Sequence, residues 1–206
     1  MNEHNPGVLA CPQPRSPDGP RTVYGFHGDR LAGLRDLFQY ARGMTVLDVA
    51  MNHGLVSLEL AHRGVSLVHG CDYHEPGVAT ARAIFAEFKT LSRFEAVDLT
   101  GGPEALQAAF GADYLPRYDI VLFLGIYHKL KDQTPDDVIE GLIRHLADRA
   151  ARYFVVRAAS SDMLDEIGRM LRQAGLRKVH FSALSLVVGP MEIWQRGEVS
   201  PYIGTH

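Results

Sequence analysis

The sequence has few cysteines, a small net charge and no long apolar run. Its two cysteines, Cys11 and Cys71, have no metal-binding spacing and cannot supply a disulfide framework. A formal net charge of −3 gives no basic footprint for DNA, although it does not exclude a short RNA loop as substrate. No apolar stretch approaches the roughly 20 residues of a membrane span. The N-terminus also lacks the basic and apolar regions of a signal peptide, so we expect a cytoplasmic protein that does not enter a membrane.

The histidines are numerous but do not form a recognisable metal motif. None of the ten histidines is paired with another at the i, i+4 spacing of a helical zinc site. His53, His74 and His128 could lie near one another, but no cysteine cluster accompanies them. Scattered surface and loop histidines are the simpler interpretation, and we predict no metal site.

A proline-rich segment opens the chain. Residues 1–23 contain five of the eleven prolines and almost no apolar periodicity, which is typical of a flexible arm. The 206 residues of the chain suffice for one domain with a full core and are too few for two comfortable ones. We therefore predict an arm over 1–23 and a single domain over 24–206.

Strand and helix patterns alternate through this domain. Short apolar runs typical of buried strands are found at 44–49, 67–72, 93–98, 118–124, 152–157, 178–184 and 191–196. Helical spacing is found at 31–43, 54–63, 75–89 and 103–110, from Thr134 onward, and from Ser160 or Ser161 to Gly175. Five strands separated by helices predict an α/β fold with a doubly wound parallel sheet. The last two strands are joined by about six residues, too few for a crossover helix, so they should form a hairpin with one antiparallel strand.

Ligands of doubly wound sheets bind outside the carboxyl ends of the strands, at the switch point beside the first strand. The chemistry should therefore lie just after Val49, Asp72, Asp98 and Leu124. The turn after the first strand, Asp48-Val-Ala-Met-Asn-His-Gly54, has the position of a nucleotide-binding loop but only one glycine.

This order of elements, together with that turn, resembles the class I S-adenosylmethionine-dependent methyltransferases. The resemblance covers roughly residues 24–196. It implies a seven-stranded sheet in the order 3-2-1-4-5-7-6 with strand seven antiparallel and helices on both faces. It also implies S-adenosylmethionine as the cofactor.

The family's first motif, Asp/Glu-x-Gly-x-Gly-x-Gly, corresponds to Asp48–Gly54. Asn52 is the best non-glycine residue for positive φ, and Ala50 should be tolerated in place of glycine if its φ is negative. Gly54 stands where the next helix should begin close to the ligand. We therefore expect this loop to bind cofactor, with a plain strand-to-helix turn as the alternative.

An acid that ends the second strand binds both ribose hydroxyls in this family, and Asp72 stands there. It follows Asp48 by 24 residues, near the separation of a ribose-binding acid from its loop. A carboxylate can accept two hydroxyl donors. The alternative is that Asp72 only caps the following helix. Tyr73 comes next, where the resemblance implies a side chain against the adenine ring.

The segment 95–99 (EAVDL) matches the family's acid after strand three. The resemblance implies that Asp98 accepts a hydrogen bond from the adenine amino group, with the Leu99 amide nearby. This is a weak signal by itself, because aspartates are common in turns.

The segment 118–130 (YDIVLFLGIYHKL) bears on the reaction. Gly125 should let the chain turn beside the methyl donor, and Tyr127, His128 and Lys129 should project from a loop that contacts substrate. Methyl transfer needs a base only when the acceptor is a hydroxyl or a protonated nitrogen. His128 is the natural candidate for that base, with a structural hydrogen-bonding role as the alternative.

In the family, the region before the first helix often folds over the cofactor pocket. Tyr24 and His27, within VYGFHGD (23–29), are therefore candidate substrate residues, although a hydrophobic staple would explain the aromatic residues equally well.

The leading hypothesis is S-adenosylmethionine-dependent O- or N-methylation of a small-molecule or modest polar acceptor. A non-catalytic relative that binds the cofactor for regulation, or has lost activity, is the main alternative, suggested by Ala50 and Met51 in the glycine loop. A nicotinamide oxidoreductase is the weakest alternative, because no Gly-x-Gly-x-x-Gly follows the first strand.

Overall fold

The computed structural model describes residues 31, 33–183 and 189–197, in which strands and helices alternate. The strands are β1 Thr45–Val49, β2 Leu67–Asp72, β3 Leu91–Ala96, β4 Tyr118–Leu124, β5 Ala150–Arg157, β6 Leu176–Ser182 and β7 Met191–Arg196. The helices are α1 Arg35–Tyr40, α2 Leu55–His62, α3 Glu75–Phe85, α4 Gly102–Phe110, α5 Tyr127–Gln133, α6 Asp136–Arg149 and α7 Ser161–Gln173. Two short 3₁₀ turns, Leu99–Gly101 and Gly111–Asp113, flank α4.

All seven strands belong to one sheet, in the order β3-β2-β1-β4-β5-β7-β6. Strands β1 to β5 pair in parallel, whereas β7 lies antiparallel to both β5 and β6. This arrangement confirms the predicted strand order and the predicted closing hairpin. The switch point lies between β1 and its neighbours β2 and β4, which is where a ligand cleft is expected.

Helices cover both faces of the sheet, and each face carries its own apolar core. One core contains side chains from α4, α5, α6 and α7, including Phe110, Leu146 and Ile167. The other contains side chains from α1, α2 and α3, including Leu37 and Phe85. Because β1 and β4 are buried on both faces, their sequences are continuous apolar runs rather than alternating ones.

Local signals explain where several helices begin. Ser160 caps α7, since its hydroxyl oxygen accepts a hydrogen bond from the Met163 amide at 3.3 Å. Pro76 lies in the first turn of α3, where its missing N–H costs no helical hydrogen bond. No helix in the described part of the chain combines the length and apolarity needed to cross a membrane.

Several boundaries differ from the sequence prediction. Helix α3 ends at Phe85 rather than at residue 89, and β3 and β6 each begin and end two residues earlier than expected. Both strands lie at an edge of the sheet, where partial exposure blurs the apolar pattern, as the 70% exposed Leu91 shows. The segment expected to be a loop after β4 is the short helix α5.

The predicted arm over 1–23 lies outside the described residues, as do the candidate substrate residues Tyr24 and His27. Their proposed roles stay predictions. The same holds for the C-terminal limit of the predicted domain, which reaches residue 206.

Candidate functional site

Two adjoining cavities, each of about 340 Å³, open at the carboxyl edge of the sheet. Both are lined by Ala50, Tyr73, Ile126 and Lys129, so together they form one cleft. The β3-side cavity adds Val97, Asp98, Leu99, Thr100, Leu130 and Gln133. The β1-side cavity adds Asn52, His53, Asp72, His74, Leu124 and Gly125. The volumes fall within the range of about 300–1,000 Å³ that is usual for ligand pockets.

The loop after β1 is built from residues with left-handed backbone. Ala50, Asn52 and Gly54 have φ of +61°, +57° and +73°. The Met51 amide donates to the Cys71 carbonyl at 2.9 Å, which ties the loop to the end of β2. The expectation for Asn52 is confirmed. The condition set for Ala50, a negative φ, is not met, because Ala50 takes the left-handed conformation that glycine adopts more easily.

Gly54 faces helix α3. A Cβ placed on Gly54 would lie 3.4 Å from the Ala81 Cβ and 3.8 Å from the Met51 sulfur. The expected reason for this glycine, close approach to the ligand, stays a prediction. Its positive φ and its position against α3 explain why glycine stands there.

Asp72 joins the loops that follow β1 and β2. Its Oδ2 accepts from the Asn52 amide at 2.8 Å, and its Oδ1 accepts from the His74 amide at 3.0 Å. His74 is the residue before the first turn of α3, and this helix has no side-chain cap. Asp72 therefore holds two loops at the cleft rather than capping a helix.

Asp48 lies behind the loop and is 2% exposed. Its Oδ2 accepts a 2.6 Å hydrogen bond from the Ser57 hydroxyl. Burial raises the pKa of the Asp48 carboxyl to about 7; the nearby Asp72 charge adds to this rise, and the Ser57 hydrogen bond opposes it. Asp48 thus supports the loop from the protein interior.

The turn after β3 forms the far wall of the cleft. Asp98 Oδ1 accepts from the amide and the hydroxyl of Thr100, at 3.0 and 2.8 Å. The buried Leu99 gives this wall an apolar surface. Tyr73 stands between the two cavities and is 68% exposed.

Helix α5 contributes one face to the cleft. After the sharp turn at Gly125 (φ +75°), Ile126, Lys129, Leu130 and Gln133 line it. Their spacing of i, i+3, i+4 and i+7 is that of one helical face. Sequence reasoning did not select these residues as a set, although this spacing could have revealed them.

Of the three residues of this segment that were expected to contact substrate, Lys129 lines the cleft, whereas Tyr127 and His128 lie elsewhere. Tyr127 is 1% exposed and packs in the core, where burial and Glu166 raise the pKa of its hydroxyl. This burial contradicts the predicted substrate contact. At about 100° per residue, His128 falls on the face of α5 opposite Ile126 and Leu130. Its Nδ1 is buried and has no hydrogen-bond partner among the described residues.

Two other histidines line the β1-side cavity. The rings of His53 and His74 meet edge to face, with centroids 6.2 Å apart. In the described part of the chain, no group of three or more His, Cys, Asp or Glu side chains could hold a metal ion.

No protein-family model matches the sequence, and no curated protein is similar to it in sequence. Solved structures are similar in fold. The chain has the fold of class I S-adenosylmethionine-dependent methyltransferases. Magnesium protoporphyrin IX methyltransferase from Synechocystis PCC 6803, solved with bound S-adenosylmethionine, is 18% identical with a TM-score of 0.63, over 86% of this chain and 87% of that one.

Two further structures have the same fold. The N-methyltransferase NodS from Bradyrhizobium japonicum WM9 is 13% identical with a TM-score of 0.63, over 84% of this chain and 97% of that one. A ribosomal protein L11 methylase from Lactobacillus delbrueckii subsp. bulgaricus is 13% identical with a TM-score of 0.57, over 82% and 78%. The antiparallel β7 inserted between β5 and β6 distinguishes this methyltransferase fold from the 3-2-1-4-5-6 sheet of nicotinamide dehydrogenases.

Proposed function

We propose that the protein is an S-adenosylmethionine-dependent methyltransferase that acts on a small-molecule or modest polar acceptor. The proposal rests on the way in which three features of the chain come together. The left-handed loop Ala50–Gly54, Asp72 and Asp98 meet at one cleft, on the carboxyl edge of a methyltransferase-type sheet.

The β3-side cavity suits a purine ring. Val97, Leu99 and Leu130 provide apolar walls, and Asp98 stands at their edge. Its Oδ1 is occupied by Thr100, so Oδ2 is the oxygen that would accept from an adenine amino group. Tyr73 would lie beside the ring at the junction of the two cavities.

The Asp72 carboxylate suits the two hydroxyls of a ribose. An ionised carboxylate has about four lone-pair sites, and one on each oxygen is used by the amides of Asn52 and His74. Each oxygen therefore keeps one direction in which to accept a ribose hydroxyl. The two amides also fix the orientation of the carboxylate before ligand binds.

The β1-side cavity, between Asn52 and Gly125, would hold the methionine part of the cofactor. The bound cofactor supplies an activated methyl group, so the protein mainly aligns the acceptor and excludes water. Where the acceptor must lose a proton, His53 and His74 line this cavity, whereas His128 lies on the opposite face of α5. We therefore propose His53 or His74, in place of His128, for proton transfer.

Calorimetry with S-adenosylhomocysteine tests the binding site. Asp72→Ala removes a charged acceptor, and hydrogen bonds to charged groups contribute about 1.5–3 kcal/mol, so affinity should fall roughly 10- to 150-fold. Asp119→Ala is the matched control, because Asp119 also binds a backbone amide, that of Thr45 at 2.9 Å, but at the opposite edge of the sheet. Equal affinities in wild type and Asp72→Ala would remove Asp72 from the site.

Turnover separates the enzyme from a non-catalytic relative. Wild type should transfer a radiolabelled methyl group from S-adenosylmethionine to at least one component of a mixture of small polar metabolites. Tight cofactor binding with no transfer to any component would favour the non-catalytic alternative.

A further inference from the structure

Lys129 occupies a central position in the cleft. It lies on α5 and lines both cavities. The cleft residues on the same side of this segment are uncharged: Ile126, which precedes α5, and Leu130 and Gln133 within it. Lys129 is itself an exposed residue, so its ammonium group can reach a ligand that enters the cleft from solvent.

The charge of Lys129 is not neutralised within the described part of the chain, where Lys129 forms no salt bridge. Lys131, on another face of the same helix, provides a contrast. Its Nζ lies 2.9 Å from Asp136 Oδ1 and 3.1 Å from Glu166 Oε1. Lys131 is therefore held by two carboxylates, whereas Lys129, on the same short helix, lines the cleft and has no carboxylate partner among the described residues.

The acids of the cleft have other partners. Asp72 binds the amides of Asn52 and His74, and Asp98 binds Thr100. Under the proposed function, the remaining directions of these acids belong to the ribose and the adenine. The cofactor also brings a positively charged sulfonium into the same cleft as Lys129, where the two like charges repel and an added anion would offset that repulsion.

We propose that Lys129 selects an acceptor that carries an oxyanion, a carboxylate or a phosphate, and binds that group with its ammonium. This inference rests on the proposed function and adds the substrate class to it. An oxyanion would pair with Lys129 and offset its repulsion of the sulfonium. Lys129 is thus a specificity residue. Its substitution should weaken binding of the acceptor and leave binding of the cofactor unchanged.

The test uses the full-length protein saturated with S-adenosylhomocysteine. Acetate and inorganic phosphate are titrated separately at constant ionic strength, with sodium chloride as the reference, and binding is followed by amide NMR shifts. We expect at least one anion to bind saturably at millimolar concentrations. Lys129→Gln should raise that dissociation constant roughly 10-fold, as expected for loss of a charge-assisted contact, and Lys131→Gln should leave it unchanged.

The outcomes separate the possibilities. Saturable binding of acetate would identify the anionic group of the acceptor as a carboxylate, and saturable binding of phosphate would identify it as a phosphate group. The inference is overturned if neither anion binds, if Lys129→Gln binds as wild type does, or if Lys129→Gln weakens S-adenosylhomocysteine itself, since Lys129 would then serve the cofactor. Failure of wild type to bind S-adenosylhomocysteine would instead overturn the proposed function, and this inference with it.

Discussion

Ala50 holds a backbone conformation, φ +61°, that is unfavourable for a residue with a Cβ by about 1–2 kcal/mol. Ala50→Gly removes that strain but adds about 0.5–1 kcal/mol of chain entropy to the unfolded state. The free energy of unfolding should therefore rise by up to about 1.5 kcal/mol. Binding of S-adenosylhomocysteine should stay within a few fold of wild type, because the backbone already has the required shape.

Ala108→Gly is the control for this substitution. Ala108 is an exposed residue inside α4, where glycine should cost about 0.5–1 kcal/mol. Urea unfolding of both variants should shift their midpoints in opposite directions. Equal destabilisation by both would show that the left-handed conformation at Ala50 carries no strain in solution.

The buried Asp48 predicts a stability that depends on pH. Its folded pKa of about 7 lies above the ordinary value of 3.8, so the folded state holds the proton more tightly than the unfolded state does. The stability from the protonated carboxyl is fully present below about pH 4 and is lost as pH rises to about 7. The loss corresponds to about 4 kcal/mol at about 1.36 kcal/mol for each pH unit between the two pKa values.

Asp48→Asn tests this dependence, because the amide keeps the size of the side chain and an oxygen for Ser57 but does not ionise. Its advantage over wild type in free energy of unfolding should grow between pH 4 and pH 7 and level off above. Urea titrations at pH 4.5, 6 and 8 measure the difference. Parallel pH profiles for the two proteins would show that Asp48 does not titrate in this range.

At the scale of elements, the contact of Gly54 with α3 changes what a substitution there should do. Valine at Gly54 combines an unfavourable positive φ with branched methyl groups directed at Ala81. Gly43 has a similar φ of +76°, but a Cβ there would meet nothing within 4 Å. Gly54→Val should therefore lower the free energy of unfolding by at least about 1 kcal/mol more than Gly43→Val, as overpacking does.

Thermal unfolding without ligand measures that difference directly. Equal decreases in the free energy of unfolding of the two variants would mean that α3 shifts to accommodate the added side chain. Reduced cofactor binding in a Gly54→Val protein that unfolds like Gly43→Val would return Gly54 to the ligand-contact role expected from the sequence.

The elements also show which sequence signals are reliable. The central strands β1, β2 and β4 are buried on both faces, so their positions could be predicted within a residue, although the central strand β5 begins two residues earlier than expected. Edge strands are half exposed, and β3 and β6 were each misplaced by two residues. Helix α5 is only seven residues long and comes soon after the apolar strand β4. Its helical spacing of apolar residues could therefore not be recognised within YDIVLFLGIYHKL.

Some residues of the candidate site could likewise be predicted from the sequence, and others could not. Asp72 and Asp98 could be located because they follow strands, and parallel strands end at one edge of the sheet. The direction of each α5 side chain depends on whether the segment is a helix, so Tyr127 was misplaced although its neighbour Lys129 does line the cleft. The positive φ of Ala50 could not be predicted, because alanine disfavours this conformation and the hydrogen bonds that join its loop to β2 are contacts between separate segments of the chain.

At the scale of the whole molecule, ligand binding should appear as thermal stability, since the cleft is formed by four separate segments of the chain. The loop after β1, the end of β2, the turn after β3 and the segment that includes helix α5 all line it. A ligand that contacts these segments together binds only the folded state. At about 100 times its dissociation constant it should add about 2.7 kcal/mol to the free energy of unfolding.

For a domain of this size, that gain corresponds to a rise in melting temperature of roughly 5–10 °C. S-adenosylhomocysteine should produce the rise, whereas adenine alone should produce less, because it would reach only the β3-side cavity and leave Asp72 without its ribose. NAD⁺ serves as the control for a nicotinamide site and should raise the melting temperature less than S-adenosylhomocysteine does. A flat response to millimolar S-adenosylhomocysteine would mean that the Ala50–Gly54 loop keeps the shape of a cofactor loop and no longer binds one, because a ligand that stabilises only the folded state cannot bind without raising the melting temperature.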